Sequence, residues 1–291
     1  MSAKTFDKLV SESIDVIDGS PDRLADATIQ AERKIWEQIE KQFNDLDVKD
    51  GKIQSTRKNV RLVSEILNSL RDAINRSDYI KAVALFIQDF DKGALLNDAL
   101  SRQIKSSFTP SQVQLDLLNL SKRETVRVLV GQGVIDRVSQ PFAQVLTSAI
   151  ASRAELTETI KALKVTITGD KETDGRLLAN VKTTAATALS VADRTYGKIS
   201  ADAVNAQWFK YVGRPIDTTR DFCRERANKF FHRKEVEEWG ELDWNGRIDG
   251  TDTSTIFNYG GGWNCRHLIK GVSQAIVPDE VVQRAKQKGY I

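Results

Sequence analysis

Apolar residues recur every three to four positions through most of the first 165 residues, and no other feature of this chain narrows its fold as much. From Asp22 onward, Leu24, Ile29, Ile35, Trp36, Ile39, Phe43 and Leu46 fall at helical spacing. Asp18, Ser20 and Pro21 just before them are residue types that open helices, and Asp50-Gly51 breaks the pattern. Val60, Val63, Ile66, Leu67, Leu70 and Ile74 mark a second helix. Tyr79, Val83, Phe86, Ile87 and Phe90 mark a third, with a break at Asp91 to Gly93. "SSFTPSQVQLDLL" predicts a helix opening at Thr109-Pro110 and running to Val130. Gly131 and Gly133 punctuate it, a further helix reaches about Ala151, and Ser152 with Glu155 has the spacing of a capping box. Such stripes pack helices on one another. Residues 1–165 therefore read as a helical array for docking or oligomerisation, without a group of side chains suited to chemistry.

The character of the chain changes at "KVTITGDKETDG", Lys164 to Gly175, where a β-branched run meets Gly, Asp and Lys. This predicts a linker or hairpin at 166–175 and a domain boundary there. A long helix from about Arg176 to Tyr196 opens the last region, 176–291, and the part after Ala201 holds Trp208, Trp239, Trp244 and Trp263 and nine of the seventeen glycines. "QWFKYVG" reads as a strand, Gly240, Gly246 and Gly250 as turns, and "GRIDGTDTSTIF" as a turn-rich loop leading into a short strand. The fold class expected is a mainly α N-terminal region followed by a small α+β C-terminal module.

Charge and hydropathy exclude several function classes. With 43 basic and 40 acidic residues the net charge is +3, which leaves no electrostatic basis for a dedicated DNA binder but permits a local basic patch. The longest wholly apolar run, Ala82 to Ile87, is far too short to span a membrane. "MSAKTFDKLV" has no apolar signal-peptide core, so the expectation is a protein made and assembled in the cytosol.

The only two cysteines, Cys223 and Cys265, and the only two histidines, His232 and His267, all lie between 223 and 267. Random placement would cluster them so tightly on the order of one time in a hundred, so the set invites a chemical reading. Thiolate and imidazole are ligands zinc prefers, and four of them would close a tetrahedral structural site. The spacing is not that of a zinc finger, and two buried cysteines with two surface histidines is the plain alternative. A nucleophile and base pair at Cys265 and His267 lacks an orienting group and an oxyanion site nearby. "GGGW", Gly260 to Trp263, has neither the Lys-Ser/Thr of a phosphate loop nor dinucleotide-binding spacing. It reads as a tight turn that carries Trp263 and Cys265 into a core. In "TTRDFCRERANKFFHRK", Arg220, Arg224, Arg226, Lys229, Arg233 and Lys234 outnumber the acids. If that stretch is helical, Arg226, Lys229 and Arg233 share a face able to touch phosphate. A solvated face with intrahelical ion pairs is the other reading.

The last third carries, in order, "VKTTAATALSVADRT", "AQWFKYVGRPIDTTRDFCRERANKFF" and "GTDTSTIFNYGGGWNCRHL". This succession resembles the phage Mu F-like minor head proteins, the head morphogenesis proteins of tailed bacteriophages. In that family a Thr-rich helix precedes a Trp…Arg…Cys stretch, and a segment ending in Asn-Cys-Arg-Cys or a variant closes the module. Thr183-Thr184, Trp208, Thr218, Arg220, Cys223 and Asn264-Cys265-Arg266 fall on those positions. His267 stands where a second cysteine is common, and Ala227 and Asn228 stand near where other members have a further cysteine or a glycine. The resemblance covers roughly residues 176–275. It implies a virion component, not an enzyme, present in few copies near the portal vertex of the head and in the host cytoplasm during assembly. Its partners would be portal and capsid proteins, with copies of itself, and it would assist head assembly, DNA packaging or genome delivery. Some such proteins bind double-stranded DNA without sequence preference. Two other readings stay open: a zinc- or cysteine-dependent enzyme carried in the virion, and a non-specific DNA-binding packaging accessory.

Overall fold

The computed structural model describes residues 2–291 and has the expected class, a mainly helical N-terminal region followed by a small α+β module. The chain divides into two compact units. One comprises Met1–Ser20, Gln88–Arg123 and Ala185–Ile291; the other comprises Pro21–Ile87 and Glu124–Thr184. Each passage from one to the other falls within a long helix, and the stretch 166–175 lies inside the second unit. Among the described residues no helix is long and apolar enough to cross a membrane.

The helical unit takes its shape from the apolar stripes. Helix α1 spans Ala3–Ile39, so it begins well before Asp22 and carries Pro21 inside it. An internal proline removes one backbone donor, but Phe6, Val10, Ser13 and Ile17, in the part of α1 that belongs to the other unit, form a buried stripe of their own, and that packing outweighs the local stop signal. A 3-10 turn over Glu40–Asp45 leads into a hairpin of β1, Val48–Lys49, and β2, Lys52–Ile53, which the helical spacing had concealed. Asp50 and Gly51 make its two-residue turn with φ of 50° and 77°, the left-handed pair that an Asp-Gly sequence favours. Thr56 then caps α2, Arg57–Arg76, by accepting from the Asn59 N–H. Trp36 stacks on Phe43 with ring centroids 5.8 Å apart, and Phe43 meets Phe142 at 6.4 Å. Ile66, Leu70 and Leu146 are fully buried in the same unit.

Later helices differ from their expected limits for identifiable reasons. Helix α3, Asp78–Ile104, runs through Asp91 to Gly93. Helix α4 spans Gln112–Leu129; Ser111 and Gln114 bond to one another at its start, so the capping pair lies just after Pro110. A short helix α5, Gln132–Val134, a π-helical turn at Ile135–Ser139 and α6, Gln140–Ser152, follow. Ser152 ends α6 instead of capping what comes next; Arg153, with φ 52°, makes the turn, and α7 spans Leu156–Thr168. The run "VTIT" is therefore helical. Thr166 and Thr168 donate to the carbonyls of Ala162 and Lys164 one turn back, and Leu163 and Ile167 are buried, so tertiary packing overrides strand propensity.

Helix α8 spans Arg176–Ala203. Its first turn is capped from outside: the buried carboxylate of Glu32 in α1 accepts from the Leu178 N–H at 2.8 Å. Burial lifts the Glu32 carboxyl from 4.5 to about 7, although that backbone bond works in the opposite direction.

The unit that holds Ala185–Ile291 is organised by a three-stranded antiparallel sheet. Strand β3, Trp208–Val212, lies between β4, Phe230–His232, and β5, Leu268–Val272. Trp208 pairs with His232 on one side and Val272 on the other, while Val212 pairs with Leu268. Both faces of β3 are covered, as its near-continuous apolar sequence requires. Short helices α9, Asp221–Arg226, α10, Arg233–Glu238, and α11, Ile256–Tyr259, surround the sheet, and α12, Asp279–Gln287, ends the chain. Asp252 accepts from the Ser254 and Thr255 N–H groups in the turn ahead of α11, so the loop there opens a helix and not the expected strand. Phe209, Tyr211, Phe222, Phe231, Trp239 and Phe257 build the core. Trp263 is 52% exposed and takes no part in it, contrary to the expectation that the glycine turn carries it inward. On β5, Lys270 is fully buried with Nζ 2.8 Å from Asp193 Oδ2 and 2.9 Å from Asn97 Oδ1.

Candidate functional site

Three of the four Cys/His residues meet, and the fourth does not. Cys223, Cys265 and His267 are buried with their donor atoms all within 4.8 Å of one another. The two sulfurs lie 3.8 Å apart, and Cys265 Sγ is 3.9 Å from His267 Nδ1. Cys223 comes from α9, whereas Cys265 and His267 lie on the segment entering β5. Residues two apart on extended backbone point the same way, which puts Cys265 and His267 on one side.

His232 is buried elsewhere. Its ring sits edge-on to Trp208 and stacks on Tyr290, and its Nδ1 accepts from the Lys234 N–H to cap α10. Strand register explains the separation. His232 pairs with Trp208 at one end of β3, and Leu268, next to His267, pairs with Val212 at the other. Four residues of strand separate those pairs by about 13 Å.

Tyr211, which sequence reasoning did not single out, takes the place left by His232. Its hydroxyl donates to Cys223 Sγ at 3.3 Å and lies 3.7 Å from Cys265 Sγ, and its ring stacks on His267 with centroids 5.3 Å apart. The available signal was alternation along β3, where Tyr211 shares a face with Phe209.

Arg194 was missed as well. It is 1% exposed, and from α8 it donates to the carbonyls of Asn258, Cys265 and His267. Thr187 of the same helix accepts from the Asn264 N–H at 2.9 Å. A charged Arg194 between the apolar Leu189, Ala192 and Tyr196 of the helix is the mark a sequence could have offered. Gly261 closes the cluster. A Cβ there would come within 2.7 Å of Cys265 Sγ and 3.1 Å of Tyr211 Oη, and closer still to Cys223 Sγ, so only glycine lets the backbone lie against all three.

The environment separates the two thiols. The hydrogen bond with Cys223 holds Cys265 well below the ordinary thiol range against the opposing effect of burial, with His267 and Arg194 adding to the stabilisation. Cys223 is pushed up, first by its bond to Cys265 and then by burial. The His267 Nε2 atom is buried and has no hydrogen-bond partner.

The six basic residues do not form one face. The stretch breaks into α9, β4 and α10, so Arg226, Lys229 and Arg233 do not share a helix. Arg220 donates to the carbonyls of Gly261 and Trp263, and Arg224 to those of Ile216, Asp217 and Thr219. Arg226 packs its guanidinium 4.0 Å over the Phe222 ring, and Arg233 bonds Ala206 O and Asp202. Lys229 and Lys234 are exposed.

Of the residues that carry the resemblance, Cys223 and Cys265 meet at this cluster, while the exposed Asn264 bonds Thr187 of α8. Arg220 reaches its glycine turn, and Arg266 donates to Asp18 O. Trp208 lies at the far end of β3, Thr218 is exposed, and Thr183-Thr184 belong to the helical unit. Compared with models of known protein families, with curated proteins and with solved structures, the chain matches none.

Proposed function

We propose that this chain is a minor head protein of a tailed bacteriophage, a structural and interaction protein that docks on the portal or inner capsid and assists head assembly, DNA packaging or genome delivery. The observation that carries the reading is spatial. Cys223 and Cys265, far apart along the chain and matched to the family by order alone, meet in one buried core cluster. Their neighbours are committed to holding the module closed: Arg194 ties α8 to two carbonyls of the cluster segment, and Arg220 ties the start of α9 to the glycine turn. Complete burial of the sulfurs favours such a stabilising role over turnover of a substrate.

Helix α4 supports the interaction half of the reading. Val113, Leu117 and Leu120, at helical spacing, remain exposed, which is how a helix that packs on a partner is built. Double-stranded DNA is a weaker candidate partner, because four of the six basic side chains already bond carbonyls of the chain itself. Mass spectrometry of purified procapsids and virions from the phage that encodes the chain tests the proposal. It expects the protein in both, in few copies per particle; its absence from both particles ends the reading.

A further inference from the structure

We propose that Cys223 Sγ, Cys265 Sγ and His267 Nδ1 bind one structural zinc ion, with Tyr211 Oη at the fourth corner. Zinc held tetrahedrally by sulfur at about 2.3 Å and by nitrogen or oxygen at about 2.0 Å sets sulfur–sulfur edges of about 3.8 Å and sulfur–nitrogen or sulfur–oxygen edges of about 3.5 Å. The cluster already has edges close to these. The two sulfurs are 3.8 Å apart, Tyr211 Oη lies 3.3 and 3.7 Å from them, and His267 Nδ1 lies 3.9 Å from Cys265 Sγ. His267 has the furthest to move, since its separation from Cys223 is bounded only by the 4.8 Å span of the set.

The donor set selects the ion. Two thiolates and an imidazole are soft to borderline ligands that suit zinc and exclude magnesium and calcium, which take oxygen. All four donor residues are buried, the arrangement of a closed structural site. The surroundings supply the orientation such sites need. The Tyr211 ring stacks on the imidazole, Arg194 holds the Cys265 and His267 carbonyls, and the backbone at Gly261 covers the sulfurs. At Nδ1 the buried imidazole faces sulfur at 3.9 Å, a weak contact that a cation bound between them would replace. A disulfide is the competing use of the two cysteines. It needs the sulfurs at about 2.05 Å, whereas they stand 3.8 Å apart as free thiols.

The site would join α9 to the segment entering β5, and it stands or falls apart from any role in a virion. The test uses the full chain, purified reduced in chelator-free buffer. Elemental analysis is expected to find one zinc per chain. After zinc removal, cobalt(II) added to the folded protein is expected to give the intense visible bands of a tetrahedral ion together with thiolate-to-cobalt charge transfer. Cys223→Ser and Cys265→Ser are expected to lose the charge-transfer band stepwise. His232→Ala is expected to keep the wild-type spectrum, and Tyr211→Phe to weaken zinc binding about 10–100-fold. The wild-type titration decides even where a variant fails to fold: a folded protein that gives only the pale octahedral spectrum, or none, overturns the site. A spectrum lost in His232→Ala overturns the ligand set, and unchanged affinity in Tyr211→Phe removes Tyr211 from it.

Discussion

The two units achieve specificity by different physical means. The helical unit relies on repetition. Its stripes of Ile, Leu and Phe bury one face per helix, and each position is supported by neighbours three and four residues away. The sheet-centred unit has short elements, several of six residues or fewer, that cannot stand on local spacing. It is held by contacts between distant residues: Arg194 with Cys265 and His267, Thr187 with Asn264, and Lys270 with Asp193 and Asn97. Repeated apolar burial tolerates small losses, whereas buried polar locks do not, because an abandoned partner keeps its full desolvation cost.

The sharpest test of that contrast is Lys270→Ala, which leaves the buried Asp193 carboxylate without its cation, with only the Asn97 amide still donating to it. It is expected to destabilise the protein by about 3–5 kcal/mol. By comparison, Ile66→Val in the helical unit is expected to cost about 0.5–1.5 kcal/mol. Urea unfolding of the two variants side by side measures both, and equal losses would erase the distinction.

Glu32 is a place where the helical unit behaves like the other, since it too buries an ionisable group. Its folded pKa, about 7, lies above the ordinary 4.5. Below pH 4.5 the carboxyl is protonated whether folded or not, and its contribution is intact. As pH rises through 7 the unfolded chain ionises first, so stability is lost over that interval and stays lost above it. The loss is on the order of 3 kcal/mol between pH 4.5 and 8. Glu32→Gln keeps an acceptor for the Leu178 N–H and is expected to remove that part of the pH dependence. Unfolding curves at pH 5 and pH 8 that shift equally in both proteins would refute the assignment.

Gly261→Ala probes how closely the turn lies against the sulfurs. The added methyl must displace the backbone or the Cys223 and Cys265 side chains, at an expected cost of about 1–3 kcal/mol, read from the melting temperature of the reduced protein. A small effect, like that of Ile66→Val, is expected at Thr56→Ala, where losing the cap of α2 costs about 1 kcal/mol. A cap loss larger than the glycine effect would reverse the ranking of the two regions.

Legibility in the sequence followed the same division. The stripes at Ile66, Leu70 and Ile74 and at Tyr79, Val83 and Phe86 located α2 and α3, because helix packing is written at a fixed short period. Helix limits were less legible. Pro21 inside α1, Gly93 inside α3 and the β-branched end of α7 each carry a local signal that burial overrides. "QWFKYVG" was readable as β3, whereas the shared basic face in "TTRDFCRERANKFFHRK" depended on one continuous helix, and the stretch folds as helix, strand and helix. Its arginines point back onto carbonyls and aromatic rings, a pairing across tens of residues that no period encodes.

At the cluster, sequence by itself determined that both cysteines and both histidines fall within one small region, and that glycines precede the second cysteine. Tertiary structure decided the membership. Strand pairing sends His232 to the Trp208 end of β3 and His267 to the Val212 end, so composition nominates two histidines and register admits one. The same pairing brings in Tyr211, whose hydroxyl reaches both sulfurs only because β3 runs between the segments that carry them. The physical reason is range: side-chain spacing within an element is set by the backbone repeat, whereas the meeting of Cys223, Tyr211 and Cys265 is set by how separate elements pack.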